Sequence, residues 1–139
     1  MVRIVLSKYG DSPPSDPTQD RKIPTNKTPL YPTKEVIEIL KKSLPKTMTR
    51  KSVGDLQRLG FDDNDLKMLI METLHNGTYI DSEWCEINAE SPWFACDSYH
   101  FKRKEYNEFA YKDLDANYFI KFCINKAGSL ICTFSCHLS

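Results

Sequence analysis

The chain lacks any long apolar run and any excess of charge. No apolar stretch approaches the roughly 20 residues that a membrane-spanning helix needs, so we expect no membrane partner. Residues Met1–Ser7 are too short for a secretory signal peptide, and none is expected. The 19 basic and 19 acidic residues balance, which excludes a whole-chain attraction for nucleic acid. Such an attraction would have to come from a local patch.

The chain also lacks a Cys-x-x-Cys pair. Its five cysteines are Cys85, Cys96, Cys123, Cys132 and Cys136. Their odd number, without a signal peptide, predicts reduced thiols in a cytoplasmic protein. A metal site at Cys132, Cys136 and His137 is one interpretation. The alternation of Cys132, Phe134 and Cys136 favours a buried strand face instead, so we expect neither a metal nor another cofactor.

Residues 1–32 are predicted to form a proline-rich N-terminal arm, followed by a domain over residues 33–139. Val2–Leu6 has the pattern of a short strand. Residues 9–32 are rich in proline, serine, threonine, aspartate and lysine. This composition is typical of an extended, poorly packed segment.

Three amphipathic helices are predicted next. They run from Thr33 to Leu44, from Met48 or Thr49 to Gly60, and from Asp62 or Asp63 to Asn76. Capping residues at their starts, and proline or glycine at their ends, set these limits. The apolar stripe of the second helix predicts that Val53, Leu56 and Leu59 point inward.

From Thr78 onward the pattern changes to period two. Four strands are predicted, at residues 79–87, 93–101, 118–124 and 130–138. The polar stretch Lys102–Asn117 is predicted to be an exposed connection, and Asn125–Ser129 the turn of a hairpin. The fold class is therefore α+β, with N-terminal helices packed on a C-terminal antiparallel sheet of about four strands.

Lys121 stands at the centre of the apolar run Tyr118–Ile124. Alternation places it with Phe119 and Cys123, opposite the apolar stripe. A solvated strand lysine and a phosphate-binding lysine both fit this position.

Several short strings, in their order and spacing, make the chain resemble the MqsR family of type II toxin–antitoxin toxins. They are Thr28-Pro29, Met48-Thr49-Arg50-Lys51-Ser52, Leu59-Gly60-Phe61-Asp62, Leu74 to Tyr79, Asp97-Ser98-Tyr99, Phe119-Ile120-Lys121 and Thr133-Phe134. The resemblance covers roughly residues 27 to 135. It departs at two family lysines, which are Ile80 and Ser135 here, and at a family Trp-Gln, which is Ala95-Cys96.

The resemblance implies a RelE-like fold and a ribosome-independent endoribonuclease that cleaves single-stranded mRNA and is neutralised by a cognate antitoxin. Attack by the 2′-hydroxyl needs a proton acceptor, cations around the phosphorane and a proton donor, but no metal. The expected catalytic residues are Lys121, Tyr99, Tyr79 and His137. The expected RNA-binding residues are Lys102, Arg103, Lys104 and His100, with His100 or Arg103 as further sources of a proton or charge.

A second hypothesis is a non-catalytic binding protein of the same fold, such as a phage or mobile-element regulator or inhibitor. The two missing lysines favour it, and so does the acidic strand with Asp81, Glu83 and Glu86. The proline-rich arm would then bind a protein partner in extended form.

Overall fold

The computed structural model describes residues 3–15 and 19–139, and in this part the chain is α+β, as predicted. Its elements are β1 (Lys22–Ile23), α1 (Thr33–Lys42), β2 (Lys46–Thr47), α2 (Arg50–Leu59), α3 (Asp63–Asn76), β3 (Thr78–Cys85), β4 (Phe94–Asn107), β5 (Lys112–Ile124) and β6 (Ile131–Leu138). The helices lie in the middle of the chain, between β1 and β3, and not at its N-terminus.

The strands form one sheet in the order β1-β3-β4-β5-β6-β2. The prediction of about four antiparallel strands is corrected here: within residues 3–15 and 19–139 the sheet has six strands and is mixed. A two-residue strand extends each edge, with β1 antiparallel to β3 and β2 parallel to β6. Segments this short carry no periodicity, which is why the sequence did not indicate them.

β4 and β5 are longer than predicted. The stretch Lys102–Asn117, which was expected to be a connection, folds back on itself as a two-stranded antiparallel ribbon. Its pairing runs from Lys102 opposite Asn117 to Asn107 opposite Lys112. Pairing with β3 and β6 stops at His100 and Tyr118, so this ribbon has no flanking strand in the described residues. Most of its side chains are exposed and many are charged, and that composition resembles a loop.

Side-chain caps start α2 and α3 where the sequence predicts. Thr49 accepts a hydrogen bond from the Ser52 N–H at 3.0 Å, and Asp62 accepts one from the Asp65 N–H at 2.8 Å. Val53, predicted to point inward, is 43% exposed. The buried residues of α2 are Ser52, Asp55 and Leu56, so polar side chains occupy part of the face that contacts β6.

The main core lies between the helices and one face of the sheet. Helical Leu40, Leu66 and Ile70 are fully buried against strand residues such as Ile120 and Phe122. A smaller cluster contains Ile23, Trp84, Trp93 and Ala95. The opposite face, which carries Lys121, is left partly open.

The described part of the arm packs against the sheet. Ile23 pairs in β1, and Tyr31 is 1% exposed. The buried carboxylate of Asp97 accepts the N–H groups of Leu30 and Tyr31, both at 3.0 Å. These residues are therefore not poorly packed, because a buried acceptor satisfies their backbone. Residues 16–18 lie outside the described residues, and the boundary at residue 32 stays a prediction.

At the start of the chain, Val5 forms an isolated parallel bridge with Trp93, while Val2 of the strand predicted there lies outside the described residues. No helix within residues 3–15 and 19–139 is both long and apolar enough to cross a membrane.

Candidate functional site

Two bulges determine which side chains share the open face. In β6, Phe134 is an extra residue, since Lys121 pairs with Ser135 while Phe122 pairs with Thr133. In β3, Ile80 is an extra residue between Tyr79 and Asp81. A bulge reverses the side-chain alternation beyond it. Cys132 and Cys136 consequently lie on opposite faces, and the expectation of one buried cysteine face in β6 is wrong.

A cavity of about 660 Å³ opens on the face that carries Lys121. The N-terminus of α2 borders one side, and β3 with the loop after it borders the other. Its lining residues are Arg21, Thr49, Arg50, Lys51, Glu83, Trp84, Cys85, Glu86, Ile87, Asn88, Lys121, Phe134 and Ser135. Four cations therefore line this cavity against two carboxylates.

Lys121 is paired with a carboxylate. Its Nζ lies 2.5 Å from Glu83 Oε1, and its side chain is 17% exposed. Burial alone would lower the pKa of Lys121, but the neighbouring Cys85 thiol and the Glu83 carboxylate outweigh it and place the pKa above its ordinary value. Lys121 is therefore protonated at neutral pH and can act as a cation or a proton donor.

The second carboxylate, Glu86, is held by two guanidinium groups. Arg21 Nη2 lies 2.9 Å from Glu86, and Arg3 binds the other carboxylate oxygen. Both guanidiniums stack over the Trp93 ring, at 4.5 and 5.0 Å from its centroid. Burial opposes ionisation of Glu86, but the hydrogen bonds from Arg3 and Arg21 prevail and lower its pKa.

A buried aspartate that the sequence did not indicate fixes the α2 side of the cavity. Asp55, with 1% of its side chain exposed, accepts from Lys51 at 2.9 Å and from Arg58 at 2.7 Å. It also accepts the Cys136 N–H of β6 at 3.1 Å. Lys51 reaches on to Ser135 Oγ at 3.4 Å. The i, i+4 and i, i+3 spacing of the three charged residues in α2 is the signal that could have revealed this cluster.

The two predicted catalytic tyrosines lie on the opposite face from Lys121. Ser98 pairs with Lys121, so its neighbour Tyr99 faces the helices. Tyr99 is 4% exposed, and its hydroxyl has no hydrogen-bond partner among the described residues. Burial raises its pKa. The Tyr79 hydroxyl is bonded to Thr25 at 2.8 Å and to Ser82 at 2.5 Å.

The two predicted histidines are brought together beside Phe119. Register places Phe119 opposite both His100 and His137. The His137 and Phe119 rings stack with centroids 5.3 Å apart, and Lys121 Nζ lies 5.8 Å from the Phe119 centroid. This group, His100, Phe119 and His137, adjoins the cavity on the same face and is called the aromatic row below.

Strand geometry places the side chains of the predicted basic run, Lys102-Arg103-Lys104, on two different faces of β4. Arg103 faces the helices, where it bonds Glu105 at 2.5 Å, Glu72 at 3.5 Å and the Tyr118 hydroxyl at 3.3 Å. Lys102 and Lys104 are exposed on the side of the aromatic row. Arg103 is thus held in a protein-internal network, whereas the two lysines extend the open face.

Within the described ranges, no group of three or more His, Cys, Asp or Glu side chains is arranged to hold a metal ion. Comparison of the chain with protein-family models, with curated proteins and with solved structures finds no match. The roles assigned to individual residues from the sequence therefore stay predictions.

Proposed function

We propose that this chain is a cytoplasmic endoribonuclease toxin of the MqsR type, with a RelE-like fold, that cleaves single-stranded mRNA without a metal and is neutralised by a cognate antitoxin. The observation that carries the proposal is the Lys121–Glu83 pair inside a cavity with three further cations. A carboxylate and a protonated amine in contact supply the acceptor and donor that phosphodiester cleavage needs.

The reaction can be written with the residues of the cavity. Glu83 accepts the proton of a 2′-hydroxyl group of the RNA. At the same time, the oxygen of that hydroxyl attacks the adjacent phosphorus. The bond from phosphorus to the 5′-oxygen breaks, and Lys121 donates the proton that this leaving oxygen takes up. Products are a 2′,3′-cyclic phosphate and a 5′-hydroxyl. The proton then returns from Glu83 to Lys121 across their 2.5 Å contact.

The remaining cations stabilise charge that develops in the transition state. Arg50 and Lys51 stand at the first turn of α2, on the rim facing Lys121. Preorganised cations at a phosphorane contribute several kcal/mol in favourable sites, and one such donor is worth about 10²–10³ in rate. Tyr79 and Tyr99 have no place in this scheme, since they face the helices.

The aromatic row gives the RNA a place to stack. Phe119 with His137 forms a ring pair next to the cavity, and single-stranded bases stack on such side chains. Beyond it, His100, Lys102 and Lys104 follow one another on the same face of β4. Alternate residues of a strand are about 6.7 Å apart, so these positions form a linear track leading away from Lys121.

The test is cleavage of a labelled single-stranded RNA by the purified chain in the presence of EDTA. Glu83→Gln and Lys121→Met should each lower the rate about 10²–10⁴-fold, and an RNA with one 2′-deoxyribose should be spared at that position. Lys126→Met, at an exposed lysine of the β5–β6 turn, is the matched control and should cut normally. RNA that stays intact at high protein concentration would refute the proposal.

A non-catalytic binding protein is the second candidate. It is favoured by the ion pairs that already occupy both cavity carboxylates, and by the separation of the tyrosines from Lys121. In that case the tagged chain would retain one host protein stoichiometrically and leave RNA uncut. Cleavage that requires Glu83 would exclude it.

A further inference from the structure

A row of cysteines crosses the centre of the sheet. Cys123 of β5 pairs directly with Cys132 of β6. The β4–β5 register begins with Asp97 opposite Phe122, so the next position places Cys96 beside Cys123 on its other side. Cys85 of β3 is close enough to Cys96 to affect its titration. All five cysteines are free and buried, and Cys136 lies on the opposite face from this row.

The middle thiol of the row is the acidic one. Burial raises the pKa of Cys123, but hydrogen bonds from the Cys132 and Cys96 thiols outweigh burial and lower it to about 6. The same contacts raise the pKa of Cys132, together with its own burial. The flanking thiols therefore act as donors to the Cys123 sulfur, and this favours its thiolate form. Thiolates are the form of cysteine that reacts with oxidants.

We propose that Cys123 and Cys132 are an oxidation site, at which a hydroperoxide converts the two thiols into a reversible disulfide joining β5 to β6. Directly opposed residues of antiparallel strands have Cα atoms about 4.5–5.5 Å apart. Disulfides form at Cα separations of about 4.4–6.8 Å. The pair therefore needs no displacement of the strands along each other.

The position in the sheet selects Cys132 over Cys96 as the partner. Cys96 lies in β4, which is held between the long strands β3 and β5. Cys132 lies in β6, whose outer neighbour is only the two-residue β2. The β5–β6 turn closes at Leu130, two residues from Cys132. Lys46 of β2 pairs with Cys132, and backbone bonds from Lys8 to Ile124 and from Lys126 to Leu6 hold the same end of the hairpin. A small oxidant therefore reaches the buried sulfurs when these short edge contacts open locally while β3, β4 and β5 stay paired.

Oxidation proceeds in two steps that balance in atoms and electrons. The Cys123 thiolate attacks one peroxide oxygen, the O–O bond breaks, and the departing oxygen takes a proton from water, leaving a sulfenic acid. Cys132 sulfur then attacks Cys123 sulfur, and the displaced hydroxide leaves as water with the Cys132 proton. The two sulfurs together lose two electrons, which the peroxide oxygens gain.

The experiment treats the reduced 139-residue chain with a few equivalents of hydrogen peroxide, after its near-UV circular dichroism has shown that it is folded. Remaining thiols are alkylated, and peptides are analysed by mass spectrometry. Trypsin cleaves at Lys126, between the two cysteines. We expect a cross-linked peptide pair two hydrogens lighter than its parts, which dithiothreitol separates. The Cys136→Ser variant makes the assignment unique, because Cys136 shares the peptide of Cys132, and it should react equally fast.

A second variant separates the two steps. Cys132→Ser should stop at the sulfenic acid of Cys123, which dimedone traps. In the unsubstituted chain, a first cross-link between Cys96 and Cys123, or one that includes Cys136, would overturn the proposal. So would thiols that stay reduced in the folded chain and react only in denaturant. The mapping on the unsubstituted chain decides the matter even if Cys132→Ser does not fold.

Discussion

Lys121 and Ser135 stand opposite each other across β5 and β6 because Phe134 is an extra residue in β6. Without that bulge, Phe134 would face Lys121, and the link from Ser135 Oγ to Lys51 at 3.4 Å would be lost. One irregular residue thereby connects the cation of the sheet to the first turn of α2, and it gives the cavity its polar rim.

The protonation of Lys121 should depend on Glu83. Glu83→Gln removes the carboxylate 2.5 Å from Nζ, while the burial that disfavours the ammonium form remains. The pKa of Lys121 should therefore fall, as followed by NMR titration of the lysine side-chain signals. The side-chain NMR signals of Lys126, an exposed lysine of the β5–β6 turn, should coincide in the two proteins. An unchanged Lys121 pKa would mean that the pair does not persist in solution.

Asp55 should contribute to stability near neutral pH. Asp55→Asn weakens the bonds to Lys51, Arg58 and the Cys136 N–H, and hydrogen bonds to a charged group are worth about 1.5–3 kcal/mol. We expect a loss of about 2 kcal/mol in the free energy of unfolding, measured by urea denaturation. Asp115→Asn, at an exposed position of the ribbon, should change it by less than about 0.5 kcal/mol.

The effect of Asp55 should also depend on pH. Burial opposes ionisation, but the bonds from Lys51, Cys136 and Arg58 prevail, and the folded-state pKa lies below the ordinary value. The contribution of the Asp55 carboxylate to stability is therefore fully present above its unfolded-state pKa. It disappears as the pH falls through its folded-state pKa. The free energies of unfolding of the unsubstituted chain and of Asp55→Asn, measured by urea denaturation from pH 7 downward, should converge in acid. A difference that stays constant with pH would contradict this origin.

Asp97 should show the opposite dependence on pH. Burial raises its pKa more than the bonds from Ser82, Leu30 and Tyr31 lower it. A raised folded-state pKa means that stability decreases as pH rises from the unfolded-state pKa through the folded-state pKa. The free energy of unfolding of Asp97→Asn, relative to that of the unsubstituted chain, should therefore increase as the pH rises between these two pKa values. A relative stability that worsens as pH rises would show that the three donors outweigh burial.

The aromatic row should bind single-stranded RNA by stacking. Phe119→Ala, combined with Glu83→Gln to prevent cleavage, should lower the affinity by about 1–3 kcal/mol per base lost, measured by fluorescence anisotropy. Phe109→Ala provides the matched control: this phenylalanine is 95% exposed at the tip of the ribbon, away from the row. Equal losses for both variants would exclude a specific role of Phe119.

The elements with strong periodicity were the ones that the sequence could predict. Helices α2 and α3 begin at the expected caps, Thr49 and Asp62, and the four longer strands fall near their predicted positions. The edge strands β1 and β2 could not be predicted, because two residues are too few to show a periodic pattern. The ribbon could not be predicted because most of its residues are exposed and carry no regular apolar alternation.

The candidate site was predictable only in part. Lys121 was correctly placed opposite the apolar stripe by simple alternation. Glu83 was interpreted as part of an acidic strand that favours a non-catalytic binding protein, yet it is the residue that contacts Lys121. The bulges at Ile80 and Phe134 could not be seen in the sequence, since a bulge adds a residue without changing composition. Convergence of Arg21 and Arg50 on one cavity requires contacts over long sequence separations.

The ribbon beyond His100 and Tyr118 leaves backbone donors and acceptors uncovered along both of its borders. Strands in this state recruit further strands, and side-chain charge is what commonly prevents it. Here Lys102, Lys104, Asp113 and Asp115 occupy those borders. Concentrated salt, or loss of these four charges, would favour edge-to-edge association of ribbons from different molecules. The tendency of the protein to aggregate would thus be governed by a segment that lies largely outside its core.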